Sequence, residues 1–158
     1  MILSQEWLKQ YISLPKNMGP VLDKLTYAGL EVETVREGVG GTMFELNITP
    51  NRPDCMSFLG VARELSAITH QAIRWPKIKI RENSAPIGSL ITLRLQERQT
   101  CPRYMGRVIQ NVKVGPSPEW LRKRLESIGQ RSVNNVVDVT TYVLMEWGHP
   151  LHAFDYDK

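Results

Sequence analysis

Asn134 to Asp155, NNVVDVTTYVLMEWGHPLHAFD, limits how this chain can fold more than any other segment. Its Val, Leu, Tyr and Trp side chains need an apolar surface to pack on. Only three residues follow it, Tyr156 to Lys158, so almost no chain remains after it to supply cover. A sequence with this ending reads as part of something larger. By pattern the segment is ambiguous. Its β-branched content favours a strand, whereas its length and the closing Gly148 favour a buried helix over Val136 to Trp147, and helix is the expectation. Arg131 and His152 stand at its two ends.

The rest of the chain has room for one ordinary domain or two small ones. With 42% hydrophobic and 23% charged residues the balance is globular and not disordered. No apolar run is long enough to span a bilayer, and MILSQEWLKQY lacks a basic start followed by an apolar block. A soluble, cytoplasmic protein with no membrane partner is expected. Cys55 and Cys101 stand alone, without CxxC or CxxxH, which argues against a zinc site or a disulfide framework. The net charge of +4 permits contact with nucleic acid without demanding it. Local clusters lie at Arg122-Lys123-Arg124, beside Arg131, and at Lys77, Lys79 and Arg81.

Helix signals open the sequence. Ser4 is placed to cap Gln5 to Tyr11, and Gly19-Pro20 starts a helix with Val21, Leu22, Leu25 and Ala28 inward and Gly29 as its stop. Leu30 to Glu33 and Phe44 to Ile48 alternate as strands, joined by the Glu37 to Gly41 turn into a hairpin. Thr49 to Asp54 breaks the second strand, because two prolines remove donors and Asn and Asp favour turns. Ser57 then caps a helix with Phe58, Val61, Ala62, Leu65 and Ile68 on its buried stripe. Trp75 to Pro86 reads as a linker. Beyond it, Leu90 to Leu95 and Tyr104 to Val114 look like strands, and Ser117-Pro118 starts a helix with Leu121, Leu125 and Ile128 inward and Gly129 as its stop.

Chemistry-bearing residues each have a plain structural reading beside the functional one. The sequence has no nucleoside-triphosphate loop, GxGxxG, HExxH or GxSxG. His149 and His152 have HxxH spacing but no third ligand close by except Asp155 and Asp157, so a loop hydrogen bond is the commoner role and no metal site is expected. His152 orienting a substrate or water at a pocket mouth is the sharper alternative. Arg131 follows a helix end, where pairing with a helix carbonyl or with Asp138 is ordinary. Thr140 and Thr141 on a helix usually bond back to the preceding turn. Asn51 or Asp54 would bond local backbone amides within a rigid turn.

Taken in order along the chain, the blocks Leu46-Asn47-Ile48-Thr49-Pro50-Asn51-Arg52-Pro53-Asp54-Cys55, Gly60-Val61-Ala62-Arg63-Glu64, Cys101-Pro102-Arg103-Tyr104 and Val136 to Asp155 resemble the β subunit of bacterial-type phenylalanyl-tRNA synthetase. The resemblance implies an α+β chain. A small helix-plus-hairpin N-terminal domain (residues 1–74) would be followed by a linker (75–86) and the first part of a tRNA-editing domain (87–158). In that family an OB-fold tRNA-binding domain is inserted into the first domain. The α subunit activates phenylalanine with ATP and Mg²⁺, and the β subunit hydrolyses mischarged Tyr-tRNA(Phe). The implied partners are therefore the α subunit and tRNA(Phe), and no cofactor is implied for this chain itself.

By motif position, Arg131 and His152 match an arginine and a histidine of the editing pocket. Thr141 stands where the family commonly has an asparagine. Two departures bear on activity: the Glu37 to Gly41 turn occupies the place of the OB-fold, and an acidic residue and a threonine of the pocket come from segments beyond Lys158. The chain is expected to be part of a ligase while lacking a complete active site of its own. The alternatives are a free-standing RNA-binding module, using Arg122, Lys123 and Arg124 on the 118–128 helix, or a structural surface for subunit assembly. Homo-association through residues 134–155 is a further expectation.

Overall fold

The computed structural model describes residues 1–38 and 41–158. These fall into two compact units, one formed by Met1–Pro76 with Val114–Lys158 and the other by Lys77–Lys113. The chain is α+β, with helices and one three-stranded antiparallel sheet.

The first unit begins with a strand that sequence pattern did not reveal, β1 (Ile2–Ser4), which runs directly into α1 (Gln5–Leu8). Ser4 serves both elements. It pairs with Met43 in the sheet, and its side chain accepts a bond from the Trp7 amide. The expected face of Trp7, Leu8 and Tyr11 is buried. Next, α2 (Gly19–Tyr27) starts at Gly19-Pro20, where the proline costs no needed hydrogen bond. Its Val21, Leu22 and Leu25 point inward, but Ala28 is exposed just past the helix end. β2 (Glu31–Gly38) and β3 (Gly41–Asn47) form the expected hairpin, with Val32 opposite Leu46. The register shifts between Val32 and Thr34, a bulge that twists the ribbon locally. The tip of the expected turn, Val39 and Gly40, lies outside the described residues. In the sheet β3 is central, and Phe44 and Leu46 turn its buried face to the core.

After a 3-10 turn at Pro53–Cys55, the Ser57 hydroxyl accepts the Gly60 amide at 3.0 Å and starts α3 (Phe58–Thr69). Two further helices complete the unit, α4 (Glu119–Glu126) and α5 (Asn135–Trp147). The helix expected over 136–147 is thus present. Asn134 caps it by accepting the Val136 and Val137 amides at 3.1 and 3.0 Å. It ends at Gly148, whose φ of +72° suits only glycine without strain, and whose Cα side faces the Ser57 side chain of the α3 cap.

One core serves all these helices. Leu121, Leu125 and Ile128 of the α4 segment share a cluster with Trp7, Leu8, Leu25, Phe44, Phe58 and Leu65. The sequence reading assigned α4 and α5 to residues 87–158 and set them apart from residues 1–74. In the structure the inward row of α4 finds its apolar cover on the N-terminal elements.

The second unit has little regular structure among the described residues. It holds one 3-10 turn, Ile87–Ser89, and an exposed Arg107–Glu82 ion pair at 2.6 Å. The strands expected over 90–95 and 104–114 do not form a ladder among the described residues. A strand is stable only when its backbone groups find a neighbouring strand, and here Met105 and Ile109 stay in solvent.

Gly60 is the tightest point of the first unit, since a Cβ there would sit 1.9 Å from the Asp54 carbonyl oxygen. Gly60→Ala should therefore destabilise by about 1–3 kcal/mol or more in urea unfolding. An unchanged midpoint would mean that the turn before α3 yields freely.

Candidate functional site

The connection between α4 and α5 is held by a buried carboxylate. Asp138, in the first turn of α5, accepts hydrogen bonds from the Ser117 and Ser132 hydroxyls and from the Val133 amide at 2.8 Å. Burial works against its charge, but these donors outweigh it and hold the carboxyl below the ordinary value. Asp138 is thus fully engaged, and the pairing with Arg131 expected as the ordinary role does not form. Arg131 lies exposed in the connection and makes no hydrogen bond or ion pair among the described residues. Its guanidinium, five donors on a planar fork, remains open to solvent and to any oxyanion that approaches.

His152 lies beyond the far end of α5, also exposed, with its ring 6.4 Å from that of Phe154. Thr141 is half-buried, and its hydroxyl bonds back to the Val137 carbonyl at 3.1 Å, as does that of Thr140 at 2.7 Å. No hydrogen bond joins Arg131, Thr141 and His152 to one another among the described residues. The structure puts the three on or beside one helix and does not assemble them into a catalytic constellation.

Around α5 runs a row of exposed apolar side chains, Val133, Val137, Leu144, Leu151 and Phe154, the last 80% exposed. A mainly apolar recess of about 330 Å³, lined by Met1, Ile2, Met56, Ile128, Leu144 and Met145, adjoins it. This matches the expectation that 134–155 presents apolar surface. No helix among the described residues is long and apolar enough to cross a membrane.

The opposite side of α5 carries a network that the sequence reading missed. Glu146 is buried and accepts from the Tyr11 hydroxyl, the Tyr142 hydroxyl at 2.9 Å and the Trp147 indole at 2.7 Å. Trp7 stacks between Phe58 (3.9 Å) and Tyr142 (4.9 Å). Burial first, then the bond to Glu146, pushes the Tyr11 hydroxyl well above the usual phenol value; Tyr142 is raised as well, chiefly by burial. Arg124 packs over Trp7, Trp120 and Tyr142 at 5.5–5.9 Å and donates to the Tyr142 hydroxyl at 3.2 Å. Of the three cations suggested for RNA contact, Arg124 is thus half-buried among aromatics and Lys123 is paired with Glu119 at 2.6 Å. Arg122 is exposed and makes no hydrogen bond among the described residues.

Asp54, Cys55 and Glu64 form the group of potential metal ligands among the described residues. The Arg52 guanidinium already occupies that place, bonding Asp54, Glu64 (2.6 Å) and the Cys55 sulfur (3.1 Å). Arg52, rather than a backbone amide as expected, is therefore what Asp54 holds. Its bond keeps the Asp54 carboxyl below the usual range, while burial pushes the Cys55 thiol up to about 11. A thiol so protonated is a packing group, not a nucleophile.

A family model, the B3/4 domain, matches residues 100–158. The chain is 42% identical over all 158 of its residues to the phenylalanine–tRNA ligase β subunit of Rhodopirellula baltica, covering 23% of that protein. It is 52% identical over 121 residues (77% of the chain, 15% of the relative) to the same subunit from Syntrophotalea carbinolica. To that of Protochlamydia amoebophila it is 54% identical over 116 residues, 73% of the chain and 14% of the relative. The chain thus spans less than a quarter of the length of these curated relatives.

Asp138 gives a pH-dependent prediction. Its folded value lies below that of an unfolded aspartate, about 3.9. The unfolded chain therefore takes up the proton first, and the stabilisation is full above about pH 4 and lost as pH falls through the folded value. Asp138→Asn should cost about 1–3 kcal/mol in urea unfolding at pH 7, and the difference should shrink at pH 3. An equal loss at both pH values would contradict the charged-acceptor role.

Proposed function

Because the chain belongs to the β-subunit family of phenylalanine–tRNA ligase, we propose that it forms part of such a subunit. It would act in the cytoplasm with an α subunit that ligates phenylalanine to tRNA(Phe), and it would contribute one wall of the pocket that hydrolyses mischarged Tyr-tRNA(Phe). ATP and Mg²⁺ belong to the α subunit in this reading, and no residue of this chain is assigned to hold them. What supports it is Arg131: an exposed arginine that pairs with no carboxylate among the described residues, in a connection fixed by Asp138, at the base of a helix with an open apolar row.

In that pocket Arg131 binds the 3′-terminal phosphate or the amino-acid carbonyl, His152 orients the substrate or the attacking water, and Thr141 lines the wall. Ester hydrolysis needs a positioned water and donors for the developing oxyanion. With Arg131, Thr141 and His152 unconnected, this chain alone lacks the fixed geometry that such chemistry requires. The apolar row along 134–155 is then a surface for assembly, covered by the rest of the β subunit or, in the isolated chain, by a second copy.

The purified chain should leave Tyr-tRNA(Phe) at the background rate. Placed in the R. baltica β subunit in exchange for the matching segment, it should support hydrolysis, and Arg131→Ala in that chimera should reduce the rate about tenfold or more. A chimera that hydrolyses equally well without Arg131 would remove that residue from the pocket.

A further inference from the structure

The chain leaves α5 through a segment with few conformations open to it. Gly148 takes a φ of +72°, and its amide donates to the Leu144 carbonyl at 2.8 Å. Its Cα side lies against the cap of α3, where a Cβ would meet the Ser57 Cβ at 3.3 Å and the Met56 carbonyl oxygen at 3.6 Å. His149 precedes a proline, which steers it to extended backbone, and the Pro150 ring fixes its own φ. His152 therefore stands four residues from a point seated on the core, with two of the three residues between them restricted. The direction in which α5 ends decides where the imidazole goes.

Glu146 grips that end from the buried side, and its two oxygens have different tasks. Oε1 accepts from the hydroxyl of Tyr11, in the turn after α1, and from that of Tyr142, one turn back on α5, at 2.9 Å. Oε2 accepts from the Trp147 indole at 2.7 Å. The first oxygen ties Glu146 to the core, and the second ties the last residue of α5 to Glu146. Neighbouring side chains on a helix diverge by about 100°, so the Glu146–Trp147 bond takes a definite conformation of both. Trp147 is 41% exposed, and the bond to Oε2 supplies the hold on its ring that burial leaves incomplete.

We propose that Glu146, acting through the Trp147 indole, is a positioning residue for His152 in the hydrolysis of mischarged Tyr-tRNA(Phe), which rests on the reading of His152 as the group that orients substrate or water. Neither Glu146 nor Trp147 touches the substrate in this arrangement. An orienting group is sensitive to small displacements, and a shift of about 1 Å costs about a hundredfold in rate. Releasing the indole frees the last residue of α5 and with it the start of the His149–His152 segment, while the Gly148 seat on Ser57 stays. The displacement is then partial, and so is the loss.

The R. baltica β-subunit chimera, assembled with its α subunit, carries the test. Trp147→Phe keeps a ring and removes the N–H. Tyr142→Phe takes a donor from Oε1 of the same carboxylate and leaves the Trp147 bond, so both variants lose stability alike and are compared well below either melting temperature. Trp147→Phe should lower kcat for Tyr-tRNA(Phe) hydrolysis about fivefold to tenfold with KM within about twofold, and Tyr142→Phe should change kcat less than about twofold. In a His152→Ala chimera Trp147→Phe should have no further effect, because the residue through which it acts is gone. Equal losses in the two phenylalanine variants, or a Trp147→Phe loss undiminished in the His152→Ala background, would reduce the network to stability and overturn the proposal. A His152→Ala chimera as active as its parent would remove His152 from the pocket and the proposal with it. A clear His152→Ala loss with no Trp147→Phe effect would sink the proposal alone.

Discussion

The Trp7 side chain, held between Phe58 and Tyr142, is the packing on which the larger unit depends. It brings α1, α3 and α5 to one point, and the Tyr11–Glu146 bond beside it joins residues 135 apart in sequence. A large aromatic buried in this way contributes area and specific stacking together. Burying Glu146 is costly on its own, and it is tolerated because three donors meet its two oxygens. Removing one donor would leave a buried acceptor short of partners, so the cluster stands or falls as a unit.

From this anchor the placement of the functional candidates follows. With α5 fixed on one side by Glu146 and at its start by Asp138, the helix turns its other side outward, and Arg131 and His152 lie beyond its two ends. The same packing exposes the Val137–Leu144 row. Polar satisfaction on one face and unmet apolar surface on the other are what a pocket wall or an assembly surface requires.

Much of the local structure was legible in the sequence because its signals are local. Ser4, Gly19-Pro20, Ser57 and Gly148 mark helix ends through bonds made within a few residues, and Val32 and Leu46 paired because the alternation around them fixes a hairpin register. β1 was not legible, since three residues carry too little alternation to distinguish a strand from a helix flank. The expected strands over 90–95 and 104–114 failed for the opposite reason, as alternation was present without a partner. In the candidate site, Arg131, Thr141 and His152 were readable as residue types. What Glu146 and Arg124 bind was not, because their partners are brought together only by the packing of α1 and α4 on α5.

The account's central claim is that the N-terminal elements and the α4–α5 helices unfold as one structure. Native-state hydrogen exchange measures this directly. Amides of Tyr11 and Ile12 in the turn that follows α1 and of Met145 to Trp147 in α5 should open at the same free energy, equal to that of global unfolding. If α5 instead exchanges at a markedly lower free energy while the sheet and α3 remain protected, the two halves are separate units, and the Trp7–Glu146 cluster does not hold them together.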